Sequence, residues 1–304
     1  MRFFLMEFSL MEFSHTMELR VLHAFLFLPI YLATLMVNLL IIVLVTLDQY
    51  LHTPMYFFLK NLSFFDICLI SIIVPKSILN SLTRAPFLYR DVLLVIHFAG
   101  AEVFILTAMS YDRHVAICHP PHYEVIMSGG VCVWKAAASW FLGGVFGSLY
   151  SAGTFSLSFC GSRNLPPFFC DVPSLLKISC SKSHVTINVS VAIGIFYSFF
   201  CLLATVFSYT YIFNTVLSIP SVQGQSKAFS TCLPHLIVVT ISLLTGAIAY
   251  LKPVPDSPSL LDLLLSVLYS ALPPNLNPII YSLRNKEIKA APRKPLWKLG
   301  GNMK

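Results

Sequence analysis

Several ionisable residues of this chain lie within long apolar stretches or at their ends. Asp66 lies in "NLSFFDIC" and Glu102 lies in the next apolar stretch. The segment "MSYDRHVAICHPPHYEVIM" then places Asp112 and Arg113 side by side, shortly before a Pro-Pro corner. A carboxylate beside a guanidinium can form a charge-assisted ion pair. Two carboxylates in apolar surroundings need a cation or a shared proton, because their charges repel each other.

The composition indicates which solvent surrounds the chain. Of its 304 residues, 57% are hydrophobic and only 11% are charged, and the mean hydropathy is +0.78. A soluble domain carries about 25% charged residues, so the composition predicts a protein embedded in lipid. The net charge of +7 does not indicate nucleic acid, because seven of the 20 basic residues fall in the last 21 positions. A basic tail beside anionic membrane lipid explains them.

Seven apolar runs are long enough to cross a bilayer as helices, which takes about 20 residues. The runs are His23–Leu47, Met55–Leu79, Val92–Arg113, Val131–Gly153, Thr186–Ser218, Ala228–Leu251 and Ser259–Leu283. The first run is too long for the apolar part of a signal peptide. The sequence therefore predicts an all-α membrane protein, a seven-transmembrane helix bundle followed by a short cytoplasmic amphipathic helix. It shows no matching halves of the kind that many transporters have.

The distribution of Lys and Arg predicts the orientation. The tail 284–304 carries seven basic residues against Glu287 alone, and such segments stay in the cytoplasm. Because an odd number of spans places the two ends on opposite sides, we expect 1–22 to be an extracellular tail. Residues 23–283 then form the membrane domain.

Each charged pair has two readings that the sequence leaves open. Asp66 and Glu102 fit a site for a sodium ion or a proton inside the bundle, or a protonated, hydrogen-bonded carboxyl that helps helices associate. Asp112 and Arg113 fit a plain interfacial ion pair, or a latch that holds Arg113 at rest and releases it in a second state.

Four motifs, in this order and spacing, resemble one protein family. They are "LHTPMYFFLKNLSFFDIC", "MSYDRHVAICHP", "SKAFSTCLPHLIVV" and "PPNLNPIIYSLRNKEIKAA". Together they resemble the olfactory receptors, a branch of the rhodopsin-like G-protein-coupled receptors. The resemblance implies a plasma-membrane receptor and no enzymatic activity. It also implies two partners, a small volatile odorant and a heterotrimeric G protein of the olfactory stimulatory type that raises cyclic AMP.

The same resemblance assigns residues to the G-protein switch. Those residues are Asp112, Arg113, Tyr209, Asn277, Pro278 and Tyr281. Tyr209 is expected to meet the end of the seventh helix on activation. Pro278 removes a backbone donor and loosens its helix, as a moving segment requires.

By analogy with the family, the ligand pocket lies in the outer half of the bundle. Helical spacing places four residues on the inner face of the third helix, namely Val95, Ile96, Ala99 and Gly100. The later helices add Ile193, Tyr197, Gly246, Ala247, Tyr250 and Ser270. Since none of these is charged, an amine ligand would meet no carboxylate, and a small, mostly apolar ligand is expected. The alternative is that each of these residues only packs against its neighbours.

The cysteines depart from the family pattern. The resemblance implies a Cys160–Cys180 disulfide and a second one from Cys170 to the position that Leu88 occupies here. Cys170 is therefore expected to be unpaired, and a poorly surface-expressed or non-functional product is the alternative function. A metal site at Cys118 is not expected, because two prolines separate the neighbouring histidines and a fourth ligand is missing.

Two glycines in the fourth apolar run, Gly143 and Gly147, form a small-xxx-small pattern. Such a face packs closely against a neighbouring helix or a second chain. Packing within the bundle is the expected role.

Overall fold

A computed structural model describes residues 7–10, 17–83, 87–155, 164–165, 185–251, 274 and 277. Its helices are α1 Met17–Leu47, α2 Pro54–Thr83, α3 Tyr89–Cys118, α4 Tyr123–Ile126, α5 Gly129–Phe155, α6 Val185–Leu217 and α7 Val222–Leu251. Short 3-10 turns cover Gln49–Leu51 and Pro120–His122. All of these helices except α4 are long and apolar enough to cross a membrane.

The prediction of an all-α membrane bundle is confirmed. The seventh run, Ser259–Leu283, lies outside the described residues apart from Pro274 and Asn277, which are both helical. The amphipathic helix expected after it also lies outside them. One boundary differs in a way that matters. Asp112 and Arg113 do not end the third helix, since α3 continues to Cys118 and stops only where Pro120 and Pro121 cannot extend it.

Three short strands, which the sequence did not predict, join separate parts of the chain. They are β1 Glu7–Leu10, β2 Phe87–Leu88 and β3 Asn164–Leu165. The central strand β1 pairs antiparallel with β2, where Glu7 lies opposite Leu88, and parallel with β3, where Ser9 lies opposite Asn164. The N-terminal segment thus connects the start of α3 to the loop between α5 and α6.

An ion pair also holds the start of α3. Lys76 Nζ of α2 lies 2.9 Å from Asp91 Oδ2, and Asp91 lies in the first turn of α3. A carboxylate is favourable there because the helix N-terminus carries a partial positive charge. The ion pair therefore links α2 to α3 close to the position where the family cysteine is missing.

Glycines set the contact between α3 and α5. A Cβ atom on Gly143 would lie 2.7 Å from the His97 carbonyl oxygen and 2.9 Å from Ala101 Cβ. A Cβ atom on Gly147 would lie 3.0 Å from the His97 backbone nitrogen. Only glycine allows this approach, so the small-xxx-small face packs within the bundle. It fixes the helix that carries Glu102, Asp112 and Arg113.

Aromatic side chains fill the space between α2, α3 and α5. The Trp140 ring lies 4.9 Å from the Phe65 ring and 6.0 Å from the Phe98 ring, centroid to centroid. Both contacts have the edge-to-face geometry that aromatic pairs prefer. Phe65 belongs to a buried cluster that also contains Ile41 and Ile105, so the packed core extends from α1 to α5.

Candidate functional site

A buried polar centre joins three parts of the chain. Asn277 Nδ2 lies 3.3 Å and 3.2 Å from the two carboxylate oxygens of Asp66 on α2. The same nitrogen lies 3.4 Å from Glu102 Oε1 on α3. All three side chains are buried. The two carboxyl groups that the sequence placed at similar depth thus share one amide donor.

Among the described residues, the polar centre has more acceptors than donors. One amide group supplies two hydrogens, whereas each ionised carboxylate can accept about four hydrogen bonds. Asn277 Oδ1 is also buried and has no hydrogen-bond partner within the described part of the chain. Unpaired oxygens of this kind are the ligands that hard cations take, and a proton held between the carboxyl groups would also reduce their repulsion.

A second asparagine anchors the stretch that carries Asn277. Asn38 Nδ2 of α1 donates to the Pro274 carbonyl at 3.1 Å and lies 3.1 Å from the Thr34 carbonyl. Asn38 is fully buried. This bond to α1 therefore anchors the chain three residues before Asn277.

The charge pair lies further along α3. Arg113 Nη2 is 2.6 Å from Asp112 Oδ2, and Tyr123 Oη of α4 donates to Asp112 Oδ1 at 2.8 Å. Asp112 is fully buried, and the Arg113 side chain is 12% exposed. Burial raises the pKa of the Tyr123 hydroxyl, and the Asp112 carboxylate raises this pKa further, so Tyr123 remains a donor at neutral pH. This is the resting arrangement that the latch hypothesis requires, and release of Arg113 stays a prediction.

Tyr209 takes part in a hydrogen-bond chain through His235. Its hydroxyl lies 2.7 Å from His235 Nδ1 of α7, and His235 Nε2 lies 2.9 Å from the Leu106 carbonyl oxygen of α3. A carbonyl can only accept, so Nε2 carries the hydrogen and Nδ1 accepts the Tyr209 hydroxyl. In this structure Tyr209 thus joins α6 to α7 and, through the imidazole, to α3.

Two residues of these networks, Tyr123 and His235, were missed at the sequence level. His235 carried a usable signal, because it is an ionisable residue inside an apolar run and the same argument singled out Asp66. Tyr123 lies 11 residues after Asp112, and the Pro120–His122 turn brings it back towards α3. No helical spacing relates two residues on either side of such a turn.

The predicted ligand residues fall into different surroundings. The Tyr197 hydroxyl of α6 donates to the Gly100 carbonyl at 2.8 Å, and its ring stacks on Phe146 with centroids 5.2 Å apart. Val95 and Ala99 pack against the main core. Ile96 is partly buried, and Ile193 is 37% exposed. Two of the predicted residues, Gly100 and Tyr197, thus bond to each other.

Several predicted positions lie where the structure describes no side chain. Gly246, Ala247 and Tyr250 lie in α7, and their side chains are outside the described part of the structure. Ser270, Pro278, Tyr281, Cys160 and Cys180 lie outside the described residues. Cys118 lies 3.2 Å from Thr215 Oγ1. Within the described ranges, no three His, Cys, Asp or Glu side chains are arranged to hold a metal ion.

Comparison with known sequences decides the family. Residues 27–298 match the sequence model of the family described as olfactory receptor. The chain belongs to the olfactory receptor family. It is 57% identical to human olfactory receptor 14K1 over 96% of this chain and 95% of that protein. It is 56% identical to human olfactory receptor 14A2, covering 93% and 92%, and 43% identical to gorilla olfactory receptor 1G1, covering 96% and 95%.

Membership confirms the resemblance that the four motifs carried. This olfactory receptor is a multi-pass membrane protein of the G-protein-coupled receptor class, and the family is one of receptors rather than enzymes. The polar centre and the charge pair therefore belong to a receptor.

We expect Tyr209 and His235 to stabilise this receptor as a unit. Tyr209→Phe leaves a buried imidazole nitrogen without its donor, and His235→Phe removes the hydrogen bonds that the Tyr209 hydroxyl and the Leu106 carbonyl make to the imidazole. Each change should cost about 1–3 kcal/mol and lower the thermal unfolding midpoint of the purified receptor. The double variant should lose less than the two single losses combined. Tyr211→Phe, at an exposed tyrosine of the same helix, is the matched control and should be neutral. Strict additivity would contradict the coupling.

Proposed function

We propose that this receptor binds a small, mostly apolar odorant within its helix bundle and activates a stimulatory, olfactory-type G protein, which raises cyclic AMP. The observation that carries the proposal is the Asp112–Arg113 pair, held from the other side by Tyr123. A buried carboxylate that uses both oxygens on two partners can hold Arg113 in one position and give it up when a better partner arrives. That behaviour suits a surface that must change when a G protein binds.

Two hydrogen-bonded connections support a mechanism of population shift. α3 carries Glu102 and the charge pair, and the Leu106 carbonyl between them accepts from His235. Tyr209 bonds to the same imidazole, so α6 and α7 are joined to each other and to α3. An odorant that binds one arrangement of α6 and α7 more tightly than the other increases the population of that arrangement. The difference in binding free energy between the two arrangements sets the size of the increase.

The orientation proposed for the receptor is an extracellular N-terminus and a cytoplasmic C-terminus at the plasma membrane. The basic tail supports it. Strand β1 supports it further, because its partners β2 and β3 lie in the loops that follow α2 and α5. Since successive spans alternate in direction, these two loops lie on one side of the membrane. The end of α3 at Cys118 and the start of α5 at Gly129 lie on the other side. The charge pair, close to that end of α3, then faces the cytoplasm.

The proposed ligand chemistry follows from the lining residues expected on α3 and α6. Val95, Ile96, Ala99 and Ile193 are aliphatic. The Tyr197 hydroxyl is already bonded to the Gly100 carbonyl, so a ligand that accepts from it must compete with that bond. Apolar contact therefore supplies most of the affinity, and charged ligands are disfavoured by the cost of desolvation.

We also propose that Asp66 and Glu102, with Asn277, hold a sodium ion, or a proton in its place. The residues fit such an ion, because two buried carboxyl groups converge and the Asn277 amide oxygen is buried without a partner in the described residues. A bound cation neutralises part of the negative charge. Its effect on the receptor is to favour the helix arrangement that brings α2, α3 and Asn277 together.

Arg113→Ala tests the switch. We expect this variant to lose any odorant-driven cyclic AMP response, because the G-protein end loses the cation that Asp112 positions. Surface level, measured by staining of an N-terminal tag, should stay unchanged. Arg90→Ala removes an exposed arginine at the opposite end of α3 and should leave the response intact. A preserved response in Arg113→Ala would refute the latch.

Glu102→Gln tests the cation site. The variant keeps an acceptor for Asn277 but removes one negative charge from the polar centre. We expect the dependence of the odorant response on sodium concentration to move to higher sodium or to disappear. Glu124→Gln makes the same chemical change at an exposed position of α4 and should leave the sodium titration unchanged. An unaltered titration in Glu102→Gln would contradict the site.

The alternative function, a non-functional or poorly surface-expressed product, rests on the missing family cysteine, and three contacts in this structure weigh against it. Leu88 occupies the position of the family cysteine, and in this structure it pairs through its backbone with Glu7 of β1. The same strand reaches β3 in the loop after α5, and Lys76 and Asp91 form an ion pair close by. These contacts connect the segments that the missing disulfide would join.

Leu88→Cys distinguishes the two functions. If the strands and the ion pair suffice, surface staining of the wild-type receptor should be close to that of Leu88→Cys. Leu88→Ser is the matched control, because it has nearly the size of cysteine without the thiol. A large gain in Leu88→Cys that Leu88→Ser does not share would favour the alternative function.

A further inference from the structure

A groove opens on the membrane-facing side between α3 and α5. Its volume is about 450 Å³, and its lining includes Phe104, Gly130, Val131, Trp134, Lys135 and Ala138. The wall is almost entirely apolar, and Trp134 is 76% exposed at its edge. Its lining runs from Ser128 and Gly130 at the start of α5 to Ala138 about two turns later, with Phe104 contributed by α3. Its shape and lining fit a hydrocarbon chain.

One cationic side chain, Lys135, lines this groove and has no ion-pair partner among the described residues. Lys135 Nζ lies 3.9 Å from the centroid of the Tyr111 ring and 3.4 Å from Met127 Sδ. Within the described part of the chain, no carboxylate lies within 4 Å of this ammonium. Asp112 acts on it only at longer range, because both of its oxygens bond to Arg113 and Tyr123. A half-buried ammonium in such surroundings is stabilised by an anion.

The start of α5 adds positive character at the same place. Cys132 N is the first nitrogen to bond back into the helix, at 3.0 Å from the Ser128 carbonyl. The amides of Gly129, Gly130 and Val131 therefore have no acceptor within the helix. A Cβ atom on Gly130 would meet nothing within 4 Å, so an anion can approach this backbone. Lys135 follows about one and a half turns later, about 8 Å along the axis.

We infer that the groove binds an anionic phospholipid, with an acyl chain along the apolar wall and the phosphate beside Lys135. The lysine stem lies along the apolar surface while its charged end reaches the headgroup region. Under the proposed orientation this is the cytoplasmic leaflet, which carries the anionic lipids of the cell. The inference rests on the proposed orientation only for the choice of leaflet, because binding itself needs neither odorant nor G protein.

Such a lipid would lie close to the charge pair. Tyr111, whose ring faces the Lys135 ammonium, directly precedes Asp112 in the chain, and Met127 directly follows the helix that carries Tyr123. A phosphate that draws the ammonium outwards changes its contacts with both residues. Lipid composition would thereby affect the helix ends that the G protein meets.

The test uses the full-length receptor in nanodiscs of phosphatidylcholine with increasing phosphatidylserine. Retained lipid is identified by native mass spectrometry. We expect the wild-type receptor to retain phosphatidylserine, and Lys135→Met to retain it about fivefold more weakly, the effect of one lysine at a membrane surface. Lys135→Arg should keep binding. Lys227→Met removes an exposed cation of α7 outside the groove and is the matched control. Ala138→Phe fills the apolar wall and should weaken retention while Lys135 stays.

Several results would overturn the inference. Equal losses in Lys135→Met and Lys227→Met would indicate general surface charge. Retention of phosphatidylcholine or of a sterol equal to that of phosphatidylserine would indicate a neutral occupant, and groove-dependent self-association would indicate a second copy of the chain. A thermal shift with inorganic phosphate alone equal to that with the lipid would indicate an ion site. If Lys135→Met does not fold, the test rests on Lys135→Arg, which should keep lipid binding, and on Ala138→Phe, which should weaken it. A receptor that retains the lipid but gives no odorant response would refute the proposed function alone.

Discussion

The close contact between α3 and α5 is the constraint on which the other features depend. Gly143 and Gly147 bring the α5 backbone to within van der Waals distance of His97, so α3 cannot approach or tilt without a clash. Helix α3 then presents Glu102, the Leu106 carbonyl and the Asp112–Arg113 pair from one fixed axis. Because this axis is held by backbone rather than by flexible side chains, we expect a change of state to involve the helices on its other side.

Lipid determines how the polar groups are arranged around that axis. Water is scarce inside such a bundle, so each buried polar atom needs a partner within the chain or a bound ion. Asp112 satisfies both of its oxygens with Arg113 and Tyr123. Asp66 and Glu102 share the Asn277 amide, which is too few hydrogens for two carboxylates. Among the described residues the first arrangement is complete, whereas the second leaves acceptors for the cation or proton that we propose.

The sequence predicted the features that depend on the lipid environment. It missed those that depend on contacts between residues far apart in the chain. Apolar runs gave the six described spans to within about six residues at each end, because a helix in hydrocarbon must be apolar along most of its length. The third run ends at Arg113, whereas α3 continues to Cys118 because the prolines that follow, rather than the charge pair, stop the helix. The strands were missed because pairing over two to four residues depends on the folded loops. His235 and Tyr197 have partners on other helices, and no spacing along the chain reveals such contacts.

The relative strength of these contacts indicates the order in which they can change. The bond from His235 to the Leu106 carbonyl is between neutral groups and contributes about 0.5–1.5 kcal/mol, whereas bonds to charged groups contribute about 1.5–3 kcal/mol. Under the proposed function, we therefore expect a ligand acting on α6 or α7 to separate the imidazole from α3 before it disturbs Arg113, two of whose nitrogens bond to Asp112 Oδ2. Tyr209 moves with His235, since their 2.7 Å bond joins α6 to α7. Under the proposed function, the pair at the end of α3 is then left to respond to the G protein rather than to the odorant.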